Sequence, residues 1–264
     1  MSDADLIQID RDGPWRVLWL NRPDARNALS PALVAALRAG LAQIAADPEA
    51  RGLTLRGRGG TFCAGGDLKG FKQGIEGGQD RAKVEAMSRE GAALFDAVAE
   101  MPMPVIAVVE GAAMAGGMGM ACAADLVVAP RGTLFGLSEV RIGLSPAQIA
   151  PFVLRRLGPA ARRLMLTGAR LTAEQGAGIG LVDVLTEDAA GLEAAEAALR
   201  ADVLACAPGA VAETKALLRE LPALDRAGQI DRAARGFAGL MGAPEAAEGL
   251  ASFLERRKPA WATG

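Results

Sequence analysis

Glycines that expose backbone amides, rather than reactive side chains, are the most suggestive chemical feature of this chain. The stretch Gly57-Arg58-Gly59-Gly60-Thr61-Phe62-Cys63-Ala64-Gly65-Gly66-Asp67-Leu68 follows a strand-like run and ends on an acid before a helix-like segment. A second cluster, Ala115-Gly116-Gly117-Met118-Gly119, follows the apolar run Pro104-Val105-Ile106-Ala107-Val108-Val109 and opens another helical pattern. Two amide donors converging on one oxygen make an oxyanion hole. What the chain lacks narrows the chemistry further. Its 264 residues include no histidine and no tyrosine, which excludes Ser-His-Asp nucleophilic catalysis, imidazole-ligated metals and phenolate bases. Carboxylates, lysines and backbone dipoles remain. Neither cluster completes Gly-x-x-x-x-Gly-Lys-Ser/Thr or Gly-x-Gly-x-x-Gly, so a nucleotide-hydrolysing or dinucleotide-binding loop is not indicated.

The elements that must hold these loops alternate between short β-like and longer helical runs. Trp15 to Leu20 precedes a helical stretch from Pro31 to Ala46, Gly52 to Arg56 precedes Ala82 to Ala99, and Pro104 to Val109 precedes Gly117 to Ala123, with a further strand at Leu126 to Ala129. This is a ββα-like alternation of an α/β chain. Ser30-Pro31 and Ser145-Pro146 both predict helix starts, with serine as cap and proline in the first turn. From about Asp188 onward Ala, Leu, Glu and Arg dominate at helical spacing, which divides the chain into residues 1–187 and a helical region, 188–264. Leu217, Leu218, Leu221, Leu224 and Ile230 exceed what a small helical layer needs, so this region is expected to pack on the first part and on other subunits.

Bulk composition sets limits on partners. Hydrophobic residues make up 51%, aromatic residues 4%, and the formal net charge is -2, so there is no basic stripe interleaved with aromatics and no nucleic-acid partner is expected. Apolar stretches are interrupted well before membrane-spanning length, so no membrane partner is expected either. Cys63, Cys122 and Cys206 form an odd set without metal-ligand spacing, and the N-terminus has no basic segment followed by an apolar core. A reducing, cytoplasmic setting without metal is the expectation.

Several stretches in order carry a family resemblance. They are Leu20-Asn21-Arg22-Pro23 with Asn27-Ala28-Leu29-Ser30, the Phe62 to Leu68 loop, Gly111 through Gly119 followed by Ala124-Asp125, Phe135 through Leu144, and Phe253-Leu254-Glu255-Arg256-Arg257-Lys258-Pro259. Over essentially its whole length the chain resembles the crotonase, or enoyl-CoA hydratase/isomerase, superfamily. The resemblance implies a crotonase-like spiral of ββα units with a helical C-terminal trimerisation region, assembled as a trimer or a dimer of trimers. The implied substrate is an acyl-CoA thioester, with coenzyme A arriving as part of the substrate and no permanently bound cofactor.

Carried over residue by residue, the resemblance makes the amides of Gly66 and Gly116 the donors to the thioester carbonyl oxygen, where enolate charge develops. Glu139 falls at the position resembling the second catalytic glutamate of hydratases; its alternative is an ion pair with Arg141 or a helix-end arginine. Ala64, Asp67, Leu68 and Lys69 resemble the loop that contacts coenzyme A, and Arg22 and Arg26 are candidates for its phosphates. For Arg22, Arg26 and Lys69 the competing reading is a structural or solvated charge, and for Asp67 a cap on the following turn.

One position departs from the best-known hydratases, because Gly119 stands where they carry a first glutamate. Water addition then needs Glu139 alone, with a second water or a backbone group in the space that Gly119 leaves. An isomerase, a decarboxylase and a binding-only acyl-CoA protein are the alternatives. The wording from Leu137 to Val153 resembles bacterial hydratases of branched glutaconyl-type CoA esters, which ranks a hydratase of a 2,3-unsaturated acyl-CoA first. Met87, Met114, Met118, Met120 and Phe71 are candidates for an adaptable acyl pocket, with ordinary core as the alternative.

Overall fold

Along Trp15–Leu20 successive side chains point to opposite faces, and both faces are covered, so almost every residue of the strand is buried. Leu18 and Leu20 join the large core on one side, while Trp15 and Val17 join a second cluster on the other, as the period of two in a strand requires. Strands buried on both faces belong to parallel sheets covered by helices. In the computed structural model, which describes residues 6–68, 70, 72, 76–78 and 80–262, such a sheet forms the centre.

The main sheet has six strands in the order β1-β2-β3-β4-β6-β9. They are β1 (Ile7–Asp12), β2 (Trp15–Leu20), β3 (Gly52–Gly57), β4 (Val105–Val108), β6 (Leu126–Pro130) and β9 (Val184–Thr186). The β1–β2 hairpin is antiparallel and every other pair is parallel. A smaller sheet runs β5 (Ala112–Met114), β7 (Leu134–Gly136) and β8 (Arg170–Thr172). Its register places Met114 beside Gly136, which carries one glycine loop next to the segment that follows β7.

The helices in chain order are α1 (Pro31–Ala45), α2 (Arg81–Ala99), α3 (Gly116–Ala123), α4 (Ala150–Leu157), α5 (Ala161–Thr167), α6 (Ala173–Ala177), α7 (Leu192–Leu204), α8 (Pro208–Glu220), α9 (Arg226–Met241) and α10 (Pro244–Leu254). The helix α1 begins as its residues predict: the Ser30 hydroxyl accepts the Leu33 N–H at 3.2 Å, and Pro31 occupies the first turn. Leu33, Leu37, Leu41 and Ile44 then form its buried stripe, at helical spacing. Asp80 caps α2 by accepting the Ala82 N–H.

The expectation at Ser145-Pro146 is corrected. Pro146 already has helical angles, no side chain caps the 3-10 turn Ala147–Ile149, and α4 starts only at Ala150. A capping serine must be the last extended residue before the helix; here that geometry is lost because Ala147 turns to φ 39°. The irregular turn brings Ile149 into the core, where it is 4% exposed.

From Asp188 onward the described chain is helical and strand-free. The helix α7 lies on the second face of the main sheet, where Leu192, Leu199 and Val203 pack with Trp15, Val17, Ile106, Val108 and Val128. Glu196 is buried there and accepts from Thr54 Oγ1 at 2.6 Å, Arg56 at 3.3 Å and Arg200. Lys215 of α8 is also buried, held by Asp125 at 2.6 Å and the Met103 carbonyl at 2.9 Å. Arg51 fastens the far end of the chain, donating to the carbonyls of Leu204 (3.1 Å), Cys206 (2.5 Å) and Trp261 (2.5 Å). By contrast, α9 buries no residue at all. No helix among the described residues is long and apolar enough to cross a membrane.

Candidate active site

Two bridges of single residue pairs stitch the first glycine loop into place. Cys63 pairs with Ala113 of β5, and Leu29 pairs with Gly66. The Cys63 N–H donates to the Ala112 carbonyl at 3.0 Å and the Met114 N–H to the Cys63 carbonyl at 2.9 Å. On the other side the Leu29 N–H donates to the Gly65 carbonyl at 2.7 Å and the Asp67 N–H to the Leu29 carbonyl at 3.2 Å. The loop is therefore a rigid shelf between the 26–29 turn and β5. Asn27, fully buried, locks the turn from below: it accepts the Arg22 N–H and donates to the carbonyls of Arg58 (3.0 Å) and Thr61 (2.6 Å).

The second glycine cluster enters α3 through a strained residue. Ala115 has φ 50° and ψ -119°, a region that L residues seldom occupy and that persists only when surroundings enforce it. The enforcement is visible: the Ala115 N–H donates to the Gly136 carbonyl at 2.8 Å. A β-carbon on Gly65, itself at φ 104°, would lie 2.9 Å from the Ala115 methyl and 3.2 Å from the Met114 carbonyl. One on Gly117 would lie 2.6 Å from the Cys63 carbonyl. The two glycine clusters are thus pressed against each other. No protein acceptor takes the N–H of Gly66 or Gly116 among the described residues. Gly116 is the first residue of α3, where amide donors are free of helical partners and the helix dipole is positive. Amides left free in this way can donate to an anionic oxygen.

Glu139 follows β7 closely, opening a 3-10 turn, Glu139–Ile142, that Gly143 ends at φ 80°. The neighbouring Gly136 carries both the Ala115 hydrogen bond and the contact with Met114, so the turn starts beside the entrance to α3. The Glu139 Oε2 is buried and has no hydrogen-bond partner among the described residues. Burial pushes its carboxyl above the ordinary glutamate range, against a smaller opposing effect of a backbone hydrogen bond. The alternative pairing with Arg141 does not occur, because the Arg141 Nε donates to the Thr167 carbonyl at 3.2 Å. A half-buried carboxylate with one oxygen free of partners is suited to take and return a proton.

The space beside Gly119 is not open. A β-carbon there would lie 2.3 Å from Ile149 Cγ2, 2.8 Å from Ile149 Cβ and 3.0 Å from Phe95 Cε1. The expectation of a water or backbone group at this place is corrected: apolar side chains fill it. Met118 and Met120 are likewise core residues, 0% and 1% exposed, rather than pocket lining. Met87 and Met114 are half-buried. Lys69 and Phe71 lie outside the described residues.

The remaining expected contacts line the shelf. Ala64 is half-buried, and its N–H donates to the Arg26 carbonyl at 2.9 Å. Arg26 is exposed and has φ 50°. Leu68 is exposed. Asp67 caps the next turn through the Gly70 N–H at 3.3 Å and also meets Arg22 Nη1 at 3.1 Å. Arg22 in turn donates to the Ala28 carbonyl, so its charge is engaged in holding the loop. Leu29, Phe95 and Ile149, whose side chains lie against Gly116 and Gly119, were not singled out by the sequence, because apolar type alone does not distinguish a pocket wall from core. Two cavities of about 590 and 180 Å³ involve the C-terminal helices, and neither includes a residue of the glycine loops.

Known proteins resemble this chain over nearly its full length. The sequence profile described as enoyl-CoA hydratase/isomerase matches residues 16–264. The chain is 36% identical over 252 residues to enoyl-CoA hydratase domain-containing protein 2, mitochondrial, of Bos taurus, covering 91% of this chain and 81% of the relative. Among solved structures it is similar to an enoyl-CoA hydratase/isomerase from Marinobacter aquaeolei, with TM-score 0.92, 40% identity, and coverage of 98% and 99% of the two chains. It is also similar to an enoyl-CoA hydratase from Mycobacterium smegmatis, with TM-score 0.92, 33% identity, and coverage of 98% and 99%.

Proposed function

The chain belongs to the enoyl-CoA hydratase/isomerase family, and from that premise we propose that it adds water across the 2,3 double bond of an enoyl-CoA ester with Glu139 as its proton-handling group. The observation that carries this reading is the buried, partnerless Glu139 Oε2 in a segment bonded to the entrance of α3. The thioester carbonyl oxygen sits between the amides of Gly66 and Gly116. Glu139 takes a proton from water as the water oxygen bonds to C3, and the π electrons pass to C2 and onto the carbonyl oxygen as an enolate. The same carboxyl then returns the proton to C2, so the carboxylate is regenerated. Each oxyanion donor contributes roughly 3 kcal/mol to such a transition state. Arg26, Ala64, Asp67 and Leu68 form the coenzyme A side of the site, to which Lys69 is assigned from the sequence resemblance alone. A branched glutaconyl-type ester is the first substrate to try, and a homotrimer or a dimer of trimers is the assembly that goes with this reading.

A second reading, double-bond isomerisation, is favoured by the apolar filling beside Gly119, since one carboxylate is enough to remove a proton at one carbon and return it at another. Incubation with 2-enoyl, 3-enoyl and methylglutaconyl-type CoA esters in heavy-oxygen water separates the two by mass spectrometry. Labelled 3-hydroxyacyl-CoA supports hydration; an unlabelled ester with a shifted double bond supports isomerisation. Binding without product in every case overturns both.

A further inference from the structure

The face of α3 that carries Gly116 also carries Gly119, three residues on, so the two backbones are neighbours on one side of the helix. Both are glycines because large apolar side chains come down on them. A β-carbon on Gly116 would lie 2.7 Å from Leu29 Cδ1 and 3.7 Å from Phe95 Cζ, and one on Gly119 would meet Ile149 and Phe95. Leu29, Phe95 and Ile149 thus make an apolar row against α3 that runs from Gly116 to Gly119. Leu29 also pairs with Gly66, so one end of the stripe touches both residues assigned to the carbonyl oxygen. Any acyl chain whose carbonyl is held there has this stripe beside its next carbons.

The three side chains differ in how firmly they are placed. Leu29 is fixed by the backbone bonds that hold the shelf. Phe95 is fixed within α2 and packs on Phe152 with ring centroids 5.9 Å apart. Ile149 sits at the end of a short 3-10 turn whose first residue has positive φ, and it is the part of the stripe farthest from the carbonyl. We infer that Ile149 is a specificity-determining residue that closes the acyl side of the site along α3, limiting the bulk accepted there and requiring apolar carbon at that face. This rests on the acyl-CoA reading of the site. The ligand class is an acyl-CoA with a short chain on the α3 side; a polar group at that face, the distal carboxylate of a glutaconyl-type ester included, loses its water without gaining a partner and so has to point away from α3.

Ile149→Ala is expected to raise the ratio of kcat/KM for 2-octenoyl-CoA over crotonyl-CoA about tenfold, the lower end of what a few methylene groups decide in an apolar pocket. Ile149→Val is expected to move the same ratio in the same direction by about threefold, and its smaller cavity keeps the fold intact if the alanine variant melts. The parallel readout is binding of saturated butyryl-CoA and octanoyl-CoA by calorimetry, which needs no turnover. If wild-type protein binds these esters but converts none of the enoyl-CoA panel, the hydratase reading fails, while the Kd ratio of the variants still tests Ile149. Ratios unchanged within twofold in folded variants, by kinetics or by binding, overturn the assignment.

Discussion

At the residue scale the proposed site turns on one carboxylate and the absence of a second. Glu139→Gln is expected to lower kcat by about 10²–10⁴ while leaving CoA-ester affinity measurable, as read by steady-state kinetics beside calorimetry. Burial raises the folded-state pKa of Glu139 above its unfolded value. The folded protein therefore binds the proton more tightly than the unfolded chain, and the associated stability is present at low pH and lost as pH rises through the folded pKa. Glu139→Gln should consequently melt higher than wild type at pH 7, with the gap closing below the ordinary glutamate pKa of about 4.3. The acid limb of wild-type kcat/KM should lie above that same value. Gly119 tests the other half of the arrangement. Gly119→Ala places a methyl against Ile149 and should cost about 1–3 kcal/mol by overpacking. Adding Ile149→Ala should recover most of that loss in a denaturant double-mutant cycle, since the two residues share one space.

At the element scale the glycine loops were legible because backbone chemistry is written in residue type: glycine clusters after strand-like runs leave few other uses. The helix from Ser30-Pro31 was legible for a similar reason, since a capping hydroxyl and a proline act within one turn. Ser145-Pro146 carries the same local signal and failed, because positive φ at Ala147 and burial of Ile149 are imposed by packing on α2 and α3 rather than by neighbours in sequence. The same limit hid the packing of Leu29, Phe95 and Ile149 on α3, and it left Met118 and Met120 open between pocket and core, where both are core. A tertiary bond of this hidden kind fixes α8. Asp125 holds the buried Lys215 and also accepts the Val105 N–H at 2.7 Å. Asp125→Ala leaves that ammonium with the Met103 carbonyl alone. It should cost roughly 3 kcal/mol in urea unfolding, the lower end for breaking a buried pair because Asp125 keeps some contact with solvent.

At the scale of the whole molecule the apolar surface is unevenly distributed. Ile230, Phe237 and Met241 are exposed on α9, and Leu250, Phe253 and Leu254 at the end of α10. Light scattering should give a mass that is a multiple of the 27.1 kDa chain, and Phe237→Asp with Phe253→Asp should lower it; a wild-type monomer at micromolar concentration would refute the proposed assembly. The Arg51 clasp works in the opposite direction, inward. Its guanidinium reaches carbonyls 153, 155 and 210 residues further along the chain, and contacts so distant in sequence are slow to close. On the ribosome, the turn after α1 is made early, but its cationic side chain finds no carbonyl of this clasp until Leu204 and Cys206 have left the exit tunnel, and its third only when Trp261 follows. The turn at the end of α1 therefore waits on segments made much later, which leaves the nascent chain more exposed to chaperones and proteases than the folded protein.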